Sequence, residues 1–207
     1  MDYVRPLESL FPDATGRILA SLARVDEEFT LRTLSRVSGV SPNQVSKIVA
    51  RLVALRVVER RDVPPAALIR LSPTNEAARL IGSLVGYRDR ILDAMRRSAR
   101  LIKPAPASLV VFGSFARGTA GPDSDLDVVA ISAGTTAAEA DEWSESLARW
   151  TTAITAAAGN PVAILEYGLN EALDALTPPH SRLWEAILTE GLVVAGTHPG
   201  ELADITR

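Results

Sequence analysis

The chain has 207 residues, 47% hydrophobic and 23% charged, an ordinary globular composition that excludes dominant disorder and leaves room for two modest domains. It has no cysteine and only His180 and His198, which excludes disulfides, a zinc finger, a thiol nucleophile and an imidazole cluster, so any metal must be held by oxygen. No apolar run approaches the roughly 20 residues that cross a bilayer, and Met1-Asp2-Tyr3 lacks the basic then apolar opening of a signal peptide, so a cytoplasmic location without membrane contact is expected.

The formal net charge of -3 conceals an asymmetry about Pro104-Ala105-Pro106: residues 1–106 hold 18 Lys and Arg against 11 Asp and Glu, and residues 107–207 hold 4 against 14. One half then meets a polyanion and the other manages cations, or the two are solvated faces that attract each other.

From Asp13, Ile18, Leu19, Leu22 and Val25 recur at helical spacing until Phe29-Thr30 breaks the run. Thr30 caps a second short helix, Leu31 to Val37, with Leu34 and Val37 on one face, and Ser38-Gly39-Val40 supplies a turn. Ser41-Pro42-Asn43-Gln44 reads as an N-cap, a proline at the first helical position and a glutamine three after the cap, which satisfies two backbone donors reciprocally. The helix it opens buries Val45, Ile48, Val49, Leu52 and Leu55 and turns a polar, basic side outward. Val57 to Arg61 and Ala67 to Leu71 then bracket Asp62-Val63-Pro64-Pro65 as a hairpin with a basic tip.

Helix, helix, turn, helix, hairpin is the order of a winged helix-turn-helix, and Arg32 to Leu71 resembles those domains of bacterial transcription regulators. The likeness rests on Ser41-Pro42-x-x-Val45-Ser46 and Leu55-x-x-Val58-Glu59-Arg60-Arg61. The arrangement implies double-stranded DNA as partner, with Lys47, Arg51, Arg60 and Arg61 at phosphates and Asn43, Gln44 and Ser46 near base edges. A winged helix used only for dimerisation or protein contact is the alternative. A long helix from Ser72-Pro73 towards Leu101 is expected next, connecting the domains and able to pair with its copy in a homodimer. The cations Arg96, Arg97, Arg100 and Lys103 in its last turns suit the helix dipole and need no ligand.

Ser108 to Phe112 is an apolar, β-branched strand ending in Gly113-Ser114, followed by a short helical piece and a loop, Gly118 to Pro122. The next strand, Asp125 to Ile131, puts the Asp125 and Asp127 carboxylates on one face. Two carboxylates so placed repel unless a cation lies between them, and oxygen ligation of this kind suits magnesium, with manganese as a substitute. A glycine where strand turns into helix lets a phosphate approach the backbone, and Ser114 can donate to it. Together these features are expected to bind a metal–nucleoside triphosphate.

Gly113-Ser114-Phe115-Ala116-Arg117-Gly118 and Ser124-Asp125-Leu126-Asp127-Val128-Val129 resemble the signature of the DNA polymerase β-like nucleotidyltransferase superfamily, in its minimal branch, with a looser match from Leu109 to about Gly196. The resemblance implies nucleotidyl transfer: Asp125 and Asp127 hold magnesium, Gly113, Ser114 and Ser124 bind the nucleotide, and Arg117 supports the loop or the leaving pyrophosphate. The family normally adds a carboxylate from a later strand, but Pro161 to Tyr167 has Ala163 there and Glu166 as its only acid. If Val162, Ile164 and Glu166 share a face with the site, Glu166 is the third ligand or the base; otherwise it is a solvated strand-end residue. Glu171, past the turn, is a weaker substitute.

Trp143 and Trp150 on a helix from Thr136 to Ala158 are expected to pack against the sheet. Two more amphipathic helices follow, the second opened by Ser181 and closed by Gly191, then a last edge strand, Leu192 to Gly196, and a surface tail from Thr197. The expected fold is α+β: a winged helix-turn-helix over 1–73, a connecting helix over 74–103 and a transferase domain with a small mixed sheet over 104–207. The expected function is magnesium-dependent transfer of a nucleoside monophosphate to a hydroxyl of an unidentified acceptor, with DNA binding and transcriptional regulation. The rival is a DNA-binding regulator whose transferase fold senses nucleotide without turnover.

Overall fold

A computed structural model describes residues 1–133 and 136–205. The chain forms two compact units, Arg5–Tyr87 and Met1–Val4 together with Arg88–Arg207. The architecture is α+β in both.

In the first unit, α1 (Pro6–Leu10), α2 (Ala14–Ala23), α3 (Leu31–Ser38), α4 (Pro42–Ala54) and α5 (Glu76–Ser83) surround a three-stranded antiparallel sheet of β1 (Phe29–Thr30), β2 (Val58–Val63) and β3 (Ala66–Leu71), ordered β1-β3-β2. Phe29-Thr30, expected to break one helix and cap the next, also forms a short strand that pairs with Ile69 and Leu68. The Thr30 hydroxyl accepts from the Thr33 amide to cap α3, and Gly39 closes it in the left-handed region at φ 63°. Ser41 caps α4 by accepting from the Gln44 amide. The return bond differs from expectation, because the Gln44 side-chain Oε1 accepts from the Ser41 hydroxyl and not from the Ser41 amide.

Ile18, Leu22, Leu34, Val45, Val49, Leu52 and Ile69 form one core, each burial removing about 1.5–3 kcal/mol of apolar side chain from water. Three residues expected inside are exposed: Val25 lies beyond the end of α2, Val37 turns out because the stripe on α3 runs from Leu34 to Ser38, and Leu55 is the last cap of α4. The expected continuous helix to Leu101 is also corrected. Ser72 bonds its hydroxyl to Glu59 instead of capping, Asn75 caps α5, and a single 3-10 turn at Leu84–Gly86 separates α5 from α6 (Tyr87–Ala99). Gly82 in the last turn of α5 and Gly86 within the break lower the helix propensity here.

The second unit holds a mixed sheet ordered β6-β5-β4-β7, made of β4 (Ser108–Phe112), β5 (Leu126–Ser132), β6 (Val162–Gly168) and β7 (Leu192–Gly196). β4 runs antiparallel to β5 and β7, and β5 parallel to β6. One face carries Val110, Phe112, Val129 and Ile131 beneath α9 (Leu169–Ala175), α10 (Arg182–Glu190) and α11 (Pro199–Ile205), with Trp184 and Ile187 at the centre. α8 (Ala137–Ala158) buries Trp143, Leu147, Trp150 and Ile154 on the other side, which meets the expectation for both tryptophans. The tail expected at the surface from Thr197 instead folds as α11 and buries Leu202 against the Trp184 cluster; its last two residues lie outside the described ones.

Among the described residues no helix is long and apolar enough to cross a membrane.

Candidate functional site

At the end of β4 the chain turns into α7 (Gly113–Arg117). Gly113 adopts φ +69°, and a Cβ built on it would run into the Asp127 carboxylate. Conformation and space therefore both require glycine. Among the described residues, none bonds the half-buried Ser114 hydroxyl. The Ser114 carbonyl accepts from the Gly118 and Thr119 amides, and Gly118 reverses the chain at φ 72°.

The register sets Asp127 beside Phe112, one residue before Gly113, while Asp125 lies just ahead of β5, which begins at Leu126 rather than at Asp125. Burial first, and the Asp125 charge second, push the Asp127 carboxyl above the usual carboxylate range, against the opposing pull of Arg117. Ser124 bonds into the loop before Asp125: its hydroxyl accepts from the Gly121 amide at 3.0 Å, and its own amide donates to the Gly121 carbonyl. Its part is thus to shape the loop that presents Asp125. Asn160, 1% exposed, completes that brace by donating to the carbonyls of Pro122 and Ser124 at 3.0 and 2.9 Å. Asn160 escaped the sequence reading; its one local signal is its place between Gly159 and Pro161.

Glu166 is not brought to this pair. β6 sets Ala163 beside Asp127, and Glu166 beside Ala130. Parity then sends Glu166 to the α8 face, where its carboxylate accepts from Trp143 Nε1 at 3.2 Å. The proposal of Glu166 as third metal ligand or base fails on this register. Glu171 accepts from the Gly168 amide at the start of α9. Arg117 meets Glu190 at 2.7 Å, an acid that no local pattern links to it because it lies 73 residues away.

Among the described residues no three His, Cys, Asp or Glu side chains could hold a metal ion together. The donor set that is present, two aspartates with one carboxyl pushed up by burial and its neighbour's charge, fits a hard divalent cation that keeps waters or takes further oxygens from a phosphate.

In the other unit, Asn43, Gln44, Ser46, Lys47 and Arg51 are all exposed on α4. Gln44, Lys47 and Arg51 line a hollow of about 510 Å3 with Asp13, Thr15 and Arg17. Arg51 donates to the Thr15 hydroxyl at 3.1 Å, and Arg17, a cation absent from the sequence-based set, donates to the Gly39 carbonyl. The wing arginines are already engaged: Arg60 pairs with Asp62 at 3.0 Å and Arg61 with Glu28 at 2.6 Å. The Arg61 hydrogen bond holds the Glu28 carboxyl below its usual range. Solvent screens exposed pairs of this kind, so a phosphate can displace them.

Comparison with known proteins follows the same division. The nucleotidyltransferase domain model matches residues 89–171, and the MarR family model matches residues 11–67. No curated protein matches the chain. Among solved structures, a mutant of the toxin-antitoxin MntA-HpeT is 17% identical with TM-score 0.38, covering 56% of this chain and 82% of that one. A toxin-antitoxin with AMP-PNP is 19% identical with TM-score 0.38 over the same shares. A transcriptional regulator is 18% identical with TM-score 0.33, covering 76% of this chain and 91% of that one. The chain thus carries a MarR-family winged helix domain followed by a nucleotidyltransferase domain.

Proposed function

We propose that the protein is a magnesium-dependent nucleotidyltransferase that moves a nucleoside monophosphate from a nucleoside triphosphate to a hydroxyl of an acceptor protein, nucleic acid or small molecule. Its winged helix binds duplex DNA and gives the activity a regulatory setting. The observation that carries this reading is the Asp127 carboxylate set against Gly113, whose missing Cβ leaves room for it, with the Asp125 charge close enough to act on Asp127.

The residues divide the work. Gly113 opens the backbone to a phosphate, and the Ser114 hydroxyl is available to donate to it. Asp125 and Asp127 hold the cation, with Asn160 and Ser124 fixing the loop between them and the helix before it. Arg117, oriented by Glu190, lowers the charge cost at Asp127 and suits the departing pyrophosphate. When bound, magnesium would neutralise the triphosphate and stabilise the attacking and leaving oxygens.

Ala163 beside Asp127 favours a second reading, a DNA-binding regulator that senses nucleotide without turnover, since the strand supplies no carboxylate on the Asp127 face to take the acceptor's proton. Labelled ATP, CTP, GTP and UTP incubated with the protein and cell lysate separate the two. Transfer predicts labelling by the wild type that Asp125→Asn and Asp127→Asn lose. Equal labelling by wild type and variants, with nucleotide still bound, leaves only the sensor.

A further inference from the structure

Phe115, two residues past Gly113, is fully buried and gripped from two sides. The Tyr3 ring meets it edge-on, with centroids 5.0 Å apart, and the Arg88 guanidinium lies 5.4 Å from its centre. Arg88 also forks onto the end of α7, Nε donating to the Phe115 carbonyl at 2.7 Å and Nη2 to the Ala116 carbonyl at 2.6 Å. Its nearest acid, Asp89, is 3.6 Å away, longer than either carbonyl bond. The guanidinium is therefore committed first to backbone oxygens.

A helix of five residues cannot hold its own direction. α7 takes its direction from outside, through the buried Phe115 ring and the two charge-assisted bonds from Arg88. Gly113 and Ser114 open the same turn that Arg88 closes. Tilting that turn moves the Ser114 hydroxyl and the Gly113 backbone together relative to Asp127. A lysine would offer a point charge where the two carbonyls require a planar fork.

We propose that Arg88 is a positioning residue for the nucleotide site: it touches no nucleotide and aims the Gly113–Ser114 turn at the phosphates. The proposal rests on the nucleotide-binding reading above and adds a residue outside the signature motif. Neither the sequence asymmetry nor the motif pointed to it, since Arg88 stands among five other cations between residues 88 and 103.

The test measures binding of a fluorescent N-methylanthraniloyl-ATP with magnesium to the full chain, alongside thermal melting. Arg88→Ala is expected to weaken binding by about tenfold or more, because a small misplacement of a positioned group costs that much. Arg88→Lys recovers only part of the affinity, and millimolar guanidinium added to Arg88→Ala restores part of it while leaving the wild type unchanged. Two results overturn the proposal with the nucleotide reading intact: a wild type and Arg88→Ala that bind equally, or a loss that follows the melting temperature and that neither Lys nor guanidinium relieves. A wild type that fails to bind the probe overturns the nucleotide reading itself, and this role of Arg88 with it.

Discussion

At Asp127, burial and a neighbouring charge act in one direction. The carboxyl titrates above its ordinary value because desolvation, and then Asp125, disfavour the ionised form in the folded chain. The folded state then binds the proton more tightly than the unfolded chain does, so ionisation costs stability. The cost is absent below the unfolded carboxylate value of about 4, grows as pH rises through the folded value, and is complete above it. Asp127→Asn is therefore expected to melt higher than wild type near neutral pH in a chelator, with the advantage vanishing as the pH falls below about 4. Added magnesium should raise the melting temperature of the wild type and not that of the variant. Lower melting of Asp127→Asn in chelator at neutral pH would mean that the carboxylate is satisfied without a cation. Gly113, Asp125 and Asp127 were legible in the sequence because their chemistry fits within one short motif. Asn160 and Glu190 were not, since their partners Ser124 and Arg117 lie 36 and 73 residues away.

At the scale of elements, strand register decides what composition could not. The strand from Val162 was legible as a strand, as was Glu166 as its only acid, but a slip of one residue exchanges the two faces of a strand. The pairing Asp127 with Ala163 sends Glu166 to Trp143. Ala163 is exposed on the Asp127 face, so Ala163→Asp can add a third carboxylate with little loss of packing. Tighter manganese binding is expected by calorimetry for Ala163→Asp, and unchanged binding for Glu166→Gln. The opposite pattern, with Glu166→Gln losing the metal and Ala163→Asp gaining nothing, would break the register argument. Caps were read well because they are local: Thr30, Ser41 and Ser181 each accept the amide that the spacing indicated. The packing of α11 was missed because tertiary burial of Leu202, not propensity, sets it, whereas the helix break at Leu84–Gly86 falls at glycines that the apolar spacing alone passes over.

Across the whole molecule, the division at Tyr87 changes the meaning of the charge asymmetry. Six cations from Arg88 to Lys103 belong to the transferase unit, whereas a cut at the Pro104-Ala105-Pro106 stretch had grouped them with the winged helix. One of them, Arg88, bonds backbone carbonyls beside the site. The chain leaves the transferase unit after Val4 and re-enters it at Arg88, so the two residues that grip Phe115, Tyr3 and Arg88, stand at the two covalent passages to the winged helix. If strain is carried along either passage, it meets the turn that holds Gly113 through these two residues, and a change in that turn would pass outward by the same route. Nucleotide and DNA affinities are therefore expected to be coupled, by the same factor in each direction and on the order of 5–150-fold. Titrating duplex DNA with and without a non-hydrolysable magnesium nucleotide, and the nucleotide with and without DNA, measures both sides of that cycle. Lys47→Ala should lower the salt slope of DNA binding by about one and leave nucleotide affinity in the absence of DNA unchanged. If DNA binding is steep in salt and yet neither ligand shifts the other, the two units act independently, and the contacts of Tyr3 and Arg88 with Phe115 serve the transferase unit alone.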